Sequence, residues 1–287
     1  MSERIQKVRE RMKELELEAL VVASPVNRRY LSGFTGTAGT LVVGLEEVEL
    51  LTDFRYTEQA AKQAPGVRVV EVDDPLEGLA RSLERLNVRR AGYESHLVTV
   101  KALRQWEERV KVDWAPVDAL VEALRGRKEP REIERIEAAV RLADRAFEYI
   151  LPRLRGRTER EVAFDLEFFM RKEGAERLAF PSIVASGPNG SLPHAVPTDR
   201  VISDGDLVTL DFGAVVDGYC SDMTRTVAVG KADSRQKEIY SLVLAAQRRG
   251  VEATKPGRLG KEVDAEARRE IEEAGYGERF GHGLGHG

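Results

Sequence analysis

Ile5, Val8, Met12 and Leu15 recur at helical spacing, which predicts an amphipathic helix over 3–17. The period then changes. "ALVVAS" (19–24) predicts a buried strand, and "TLVVG" (40–44) with "VELLTD" (48–53) predicts a hairpin. "YTEQAAKQA" (56–64) has helical spacing, "VRVVEV" (67–72) is a strand, and "LEGLARSLERL" (76–86) is a helix. "RAGYES" gives another short strand, followed by a helix over 99–109. Strands alternating with helices predict an α/β domain with a mainly parallel sheet, ending near residue 125.

A stretch of charge and a proline, "RGRKEPREIERIEAAVRLADRAFEYILPRL", opens a second pattern with a long amphipathic helix. Thr158, with Glu161 three residues on, predicts a capped start for the helix "TEREVAFDLEFFMRKEG". Long strands are expected in "RLAFPSIVASG", "LVTLDFGAVV" and "YCSDMTRTVAVG", then helices over roughly 234–253 and 260–274. Helices grouped around an antiparallel sheet make this an α+β domain. The expected division is therefore an N-terminal α/β domain over 1–127 and a C-terminal α+β domain over 128–287.

Composition adds little to this picture. The 287 residues suit two domains, and a net charge of −4 with both signs interspersed argues against a nucleic-acid partner. The N-terminus has no apolar leader, and no run of apolar residues is long enough to span a bilayer, so no membrane association is expected. The single cysteine, Cys220, cannot form an internal disulfide, which fits a reducing compartment and a cytoplasmic location. Its place in an apolar strand pattern predicts a packed thiol rather than a nucleophile.

The candidate chemistry lies in "DFGAVVDGYCSD" (211–222). Asp217-Gly218 is the strongest hairpin signal in the chain, since a type I′ turn needs positive φ at both central positions. With that turn, Val216 faces Tyr219, Val215 faces Cys220, Ala214 faces Ser221 and Gly213 faces Asp222. Asp211, two residues from Gly213, then shares a face with Asp222, the two lying diagonally, roughly 7–8 Å apart at the backbone. Gly213 is expected to leave a hole between them. Two such carboxylates repel unless neutralised by a shared proton, by a cation such as nearby Arg225, or by one or two divalent metal ions.

Four histidines accompany the aspartates. His96 reads as a surface or satisfied residue. His194, in the loop "GPNGSLPHAVPTD", precedes the hairpin and is a candidate for proton transfer. His282 and His286 share "GHGLGHG", where alternating glycine disfavours a helix and predicts an extended segment packed against another strand. "GFTGTAGT" (33–40) lacks the lysine of a phosphate-binding loop and reads as a turn, and Tyr56 as core or a helix start.

The stretch "FPSIVASGPNGSLPHAVPTDRVISDGDLVTLDFGAVVDGYCSDMTRT", with "FGHGLGHG", closely resembles the proline-specific metallopeptidases of the pita-bread fold, the Xaa-Pro dipeptidases (prolidases) and Xaa-Pro aminopeptidases. "YLSGFTGTAGTLVV" and "LLTDFRYTEQA" resemble their creatinase-type N-terminal domain. The resemblance implies that Asp211 binds one metal, that Asp222 bridges two, and that His286 is a ligand. It implies that His194 assists proton transfer and that His282 lies near the proline end of the substrate. The implied cofactors are two divalent cations, usually manganese or cobalt and sometimes zinc. The implied substrates are Xaa-Pro dipeptides or short peptides with proline second, and the implied assembly is a homodimer. The reaction would be hydrolysis of the Xaa-Pro bond by a metal-activated water.

The family also has two glutamate ligands and a further histidine after the Gly-His-Gly. Their absence here implies a pita-bread domain truncated at its C-terminal end, and a chain inactive as given, or a short protein without a complete dinuclear site. Alternatives on the same fold are a creatinase-like hydrolase and a non-catalytic module binding peptides or proteins. Methionine aminopeptidase fits less well, having no use for the whole first domain.

Overall fold

The computed structural model describes residues 3–285. It divides into two units, Met1–Lys128 and Glu129–Gly287. Among the described residues no helix is long and apolar enough to cross a membrane.

The first unit runs α1 (Glu3–Glu14), β1 (Ala19–Val22), α2 (Pro25–Ser32), β2 (Thr40–Gly44), β3 (Val48–Thr52), α3 (Thr57–Gln63), β4 (Arg68–Glu71), α4 (Pro75–Arg85), β5 (Arg90–Glu94), α5 (Val100–Arg109), β6 (Asp113–Val117) and α6 (Leu120–Gly126). Its single sheet has the order β4-β3-β2-β1-β5-β6. β1 is antiparallel to β2 and β2 to β3, while β3–β4, β1–β5 and β5–β6 are parallel, so the sheet is mixed but mainly parallel as expected. β1 reads as a continuous apolar run because both faces are covered: Leu20 and Val22 join one core with Ile5, Val8 and Met12, and Ala19 and Val21 join another with Leu79 and Leu83.

Three elements of this unit carry no expectation from the sequence: α2, β6 and α6. α2 nonetheless has strong end signals, with Ser24 accepting from Asn27 N, Pro25 in the first turn, and Gly33 closing the helix at φ 82°. The glycine-rich segment after it is a cradle for the chain's own Arg28. That guanidinium, 2 % exposed, donates to the carbonyls of Gly36 (2.6 Å) and Gly39. Tyr56 stands just before α3, with its hydroxyl 2.6 Å from Thr37 Oγ1 and its ring edge-on to Phe34. His96 is exposed, with Nε2 3.5 Å from Glu122 Oε1.

The second unit holds α7 (Pro130–Ile150), α8 (Glu159–Lys172), β7 (Arg177–Leu178), β8 (Ile183–Ser186), β9 (Leu207–Phe212), β10 (Ala214–Val216), β11 (Tyr219–Cys220), β12 (Met223–Ala228), α9 (Ser234–Ala253) and α10 (Gly260–Glu273). The predicted cap is present: Thr158 accepts from Glu161 N, and Glu161 accepts from Thr158 N. Each of the three expected long strands is broken in two. The breaks fall at 179–182, at Gly213 and at 221–222, giving two three-stranded antiparallel sheets, β11-β10-β7 and β12-β9-β8. Pro181, which lacks an N–H, lies in the first break. Leu142, Ala146, Val162 and Leu166 from α7 and α8 form one core with Val184, Val208, Leu210 and Phe212 from β8 and β9.

Cys220 does not pack as expected. It lies on β11, the two-residue edge strand, and is exposed, although its register partner Val215 on the central strand is buried.

Candidate metal centre

The turn builds the site. Asp217 and Gly218 both have positive φ, 48° and 82°, and Val215↔Cys220 and Val216↔Tyr219 pair across them, as the dipeptide predicts. Beyond the break the same register resumes, with Phe212↔Met223 and Asp211↔Thr224. Gly213 and Asp222 are therefore opposite one another in register, and Asp211 lies diagonally from Asp222 on the same face.

Gly213 leaves no hole between the aspartates. A Cβ there would sit 2.0 Å from the Ser221 carbonyl oxygen and 3.0 Å from the Ala179 side chain. The glycine is needed because two backbones close on each other. Ser221 completes the closure, its N–H donating to Ala214 O and its hydroxyl accepting from Ala214 N.

The alternation of β9 turns Val208, Leu210 and Phe212 into the core and leaves Leu207, Thr209 and Asp211 partly exposed on the other face. Asp211 is flanked in register by Ile183 on β8 and Thr224 on β12. The Thr224 hydroxyl donates to Asp211 Oδ1 at 3.0 Å, and one step along, Thr209 Oγ1 and Thr226 Oγ1 are 3.2 Å apart. Burial pushes the Asp211 carboxyl above its ordinary pKa, and the charge of Asp222 adds to that push against the Thr224 hydrogen bond. The two carboxylates are thus close enough to feel each other. Thr224 was not singled out from the sequence, although carrying the turn register two residues past Gly213↔Asp222 leads to it. Arg225 pairs with Leu210 on the opposite face and donates to Thr224 O at 2.9 Å, so it does not neutralise the pair.

His194 is exposed, in a segment that begins with a 3-10 turn at Gly187–Ser191. That turn lies over the aspartate face, since a Cβ on Gly190 would be 3.8 Å from Thr209 Oγ1. His282 follows α10 in the chain. Residues 280–285 form no strand and pack on a helix: Arg268 of α10 donates to the carbonyls of Phe280 (2.8 Å) and His282 (2.9 Å), and Asp264 accepts from Leu284 N at 2.6 Å. The expected extended pairing is replaced by these side-chain bonds. His286 lies outside the described residues. Among the described residues no group of three His, Cys, Asp or Glu side chains is arranged to hold a metal ion.

An α/β unit followed by an α+β unit, with a diagonal carboxylate pair on a bent antiparallel hairpin, defines a two-domain protein with a face suited to hard cations. Residues 134–287 match the model of metallopeptidase family M24, and residues 4–126 match the creatinase/prolidase N-terminal domain. The chain belongs to metallopeptidase family M24, and its second unit has the pita-bread fold. It is 43 % identical to an uncharacterized peptidase, YqhT, of Bacillus subtilis (strain 168), covering 99 % of this chain and 81 % of that one. It is 38 % identical to the Xaa-Pro dipeptidase of Pyrococcus furiosus, covering 100 % of this chain and 82 % of the relative. The solved Xaa-Pro dipeptidase from Bacillus anthracis superposes with a TM-score of 0.96 at 43 % identity, covering 99 % of this chain and 81 % of that one. These alignments cover nearly all of this chain and 81–82 % of each relative; they do not confirm the expected truncation and give no support to the expectation that the chain is inactive.

Proposed function

We propose that the protein hydrolyses Xaa-Pro peptide bonds with the help of divalent cations. The observation that carries this reading is the pair Asp211 and Asp222 on one face of the hairpin, in a chain that matches Xaa-Pro dipeptidases over nearly all of its own length.

The donor set fits the metal ions that the family implies. Asp211 and Asp222 offer hard carboxylate oxygens, and the pKa of Asp211, raised first by burial and further by the charge of Asp222, marks a place where added positive charge favours the carboxylate. Asp211, Asp222 and His286 are the proposed ligands, for manganese or cobalt, with zinc as the other choice. Such ions supply Lewis-acid polarisation of a carbonyl and a water acidic enough to ionise near neutral pH. Thr224 holds the Asp211 carboxylate in one orientation through its 3.0 Å hydrogen bond. His194, on the loop that starts over this face, exchanges a proton with the reacting peptide, and His282 meets the proline end. The proline nitrogen carries no hydrogen once acylated, so its ring must be accepted by shape.

In the same reading, residues 1–127 form the creatinase-type domain and 128–287 the catalytic domain, and the protein works as a cytoplasmic homodimer. Dipeptides and longer peptides with proline second are both candidate substrates. The test is hydrolysis of Gly-Pro against longer Xaa-Pro peptides, with manganese or cobalt restored to chelator-treated protein. Metal-dependent cleavage of either class is expected, and cleavage of neither rejects the assignment.

A further inference from the structure

Glu159 is a carboxylate with no solvent exposure in the first turn of α8. Its two oxygens gather donors from both ends of the loop that carries His194. Oε1 accepts from Ser186 N and Ser186 Oγ, each at 2.7 Å, and Oε2 accepts from Thr198 N at 3.0 Å and Thr198 Oγ1 at 2.6 Å. Asn189 Nδ2, inside the loop, lies 3.1 Å from both oxygens. The backbone adds to the clamp, since Glu159 N donates to Arg200 O and Arg160 N to Thr198 O, both at 3.1 Å. Arg200 donates to Ser186 Oγ at 2.7 Å and makes a bidentate pair with Asp206 at 2.7 and 2.8 Å. A buried charge is tolerated only when its lone pairs are satisfied, and this one is satisfied entirely by the loop ends and the loop itself.

His194 has no comparable anchor of its own: it is exposed, between Pro193 and the buried Ala195. We infer that Glu159 is a positioning residue, which pins both ends of the segment 187–197 and so sets where the His194 imidazole stands over the aspartate face. This rests on the proposed role of His194 in Xaa-Pro hydrolysis. Glu159 touches neither substrate nor cation in this account and acts through the loop.

Glu159→Gln tests it, because the amide nitrogen that replaces one oxygen confronts the donors of Thr198 and Asn189. Thr198→Ala is the second variant: it removes one hydroxyl from an exposed position and leaves the helix intact. Hydrogen exchange and histidine ring resonances are read on the chelator-treated full chain, so that no catalysis is required. Both variants should speed amide exchange over 186–198, Glu159→Gln by about tenfold or more, and shift the His194 ring signals, with β9 and β12 amides unchanged. Manganese affinity should stay within about twofold of wild type. In the hydrolysis assay, kcat should fall while KM is held, and Glu159→Gln combined with His194→Gln should be no slower than His194→Gln alone. Unchanged exchange and unchanged His194 signals in both variants, or fully additive losses in the double variant, would overturn the inference. A wild-type protein that binds metal but cleaves no Xaa-Pro peptide would instead overturn the proposed function, with the exchange and ring signals still deciding the role of Glu159.

Discussion

Asp211 shows how a charge can cost stability at a proposed metal ligand. Its pKa is raised, so the folded protein holds that proton more tightly than the unfolded chain, and stability falls as pH rises through the carboxylate range. Asp211→Asn, which removes the partly buried charge, should therefore make the metal-free protein more resistant to denaturant at pH 7. The gain should vanish at a pH where the Asp211 carboxyl is protonated, and paired urea titrations at the two pH values measure it. Glu159 has the opposite sign. Burial pushes its pKa up, but hydrogen bonds from Thr198 and Ser186 outweigh that and hold it below the usual carboxylate range. Its contribution is present above that range and lost as pH falls through the folded value. Amide exchange over 186–198 should thus stay slow through mild acid and rise at stronger acid in wild type. That transition should be missing in Glu159→Gln. Asp211 and Asp222 were legible because a two-residue turn fixed their parity. Glu159 was not: Thr158 and Glu161 gave the capping signal, and nothing in one sequence marks the acid between them as buried.

At the scale of elements, the bend at Gly213 decides whether the aspartates share a face. Gly213→Ala would place a methyl 2.0 Å from the Ser221 carbonyl, so the hairpin must open. A loss of about 2–4 kcal/mol is expected in chemical denaturation, together with weaker cation binding. Thr158→Ala removes one half of the α8 capping box and should cost about 1 kcal/mol by the same measurement. The long helices and the parallel strands were legible from their periods. α2 was not, because it buries Asn27 and Arg28, polar residues that blur the apolar stripe. β6 was hidden by Pro116 at a sheet edge, where a missing N–H is tolerated. The strand breaks at Gly213 and 221–222 were missed because an apolar run shows where a strand is and not where it bends.

At the scale of the whole molecule, the first unit owns a sheet buried on both faces, so residues 1–128 produced alone should unfold cooperatively when heated. The second unit owns the carboxylate pair, and the account stands on what that pair holds. Calorimetric titration of manganese into the chelator-treated full chain tests it most directly, with wild type and Asp222→Asn side by side. The account predicts saturable uptake by wild type and at least about tenfold weaker binding by the variant. Equal binding by the two proteins, or no uptake by wild type, would contradict it.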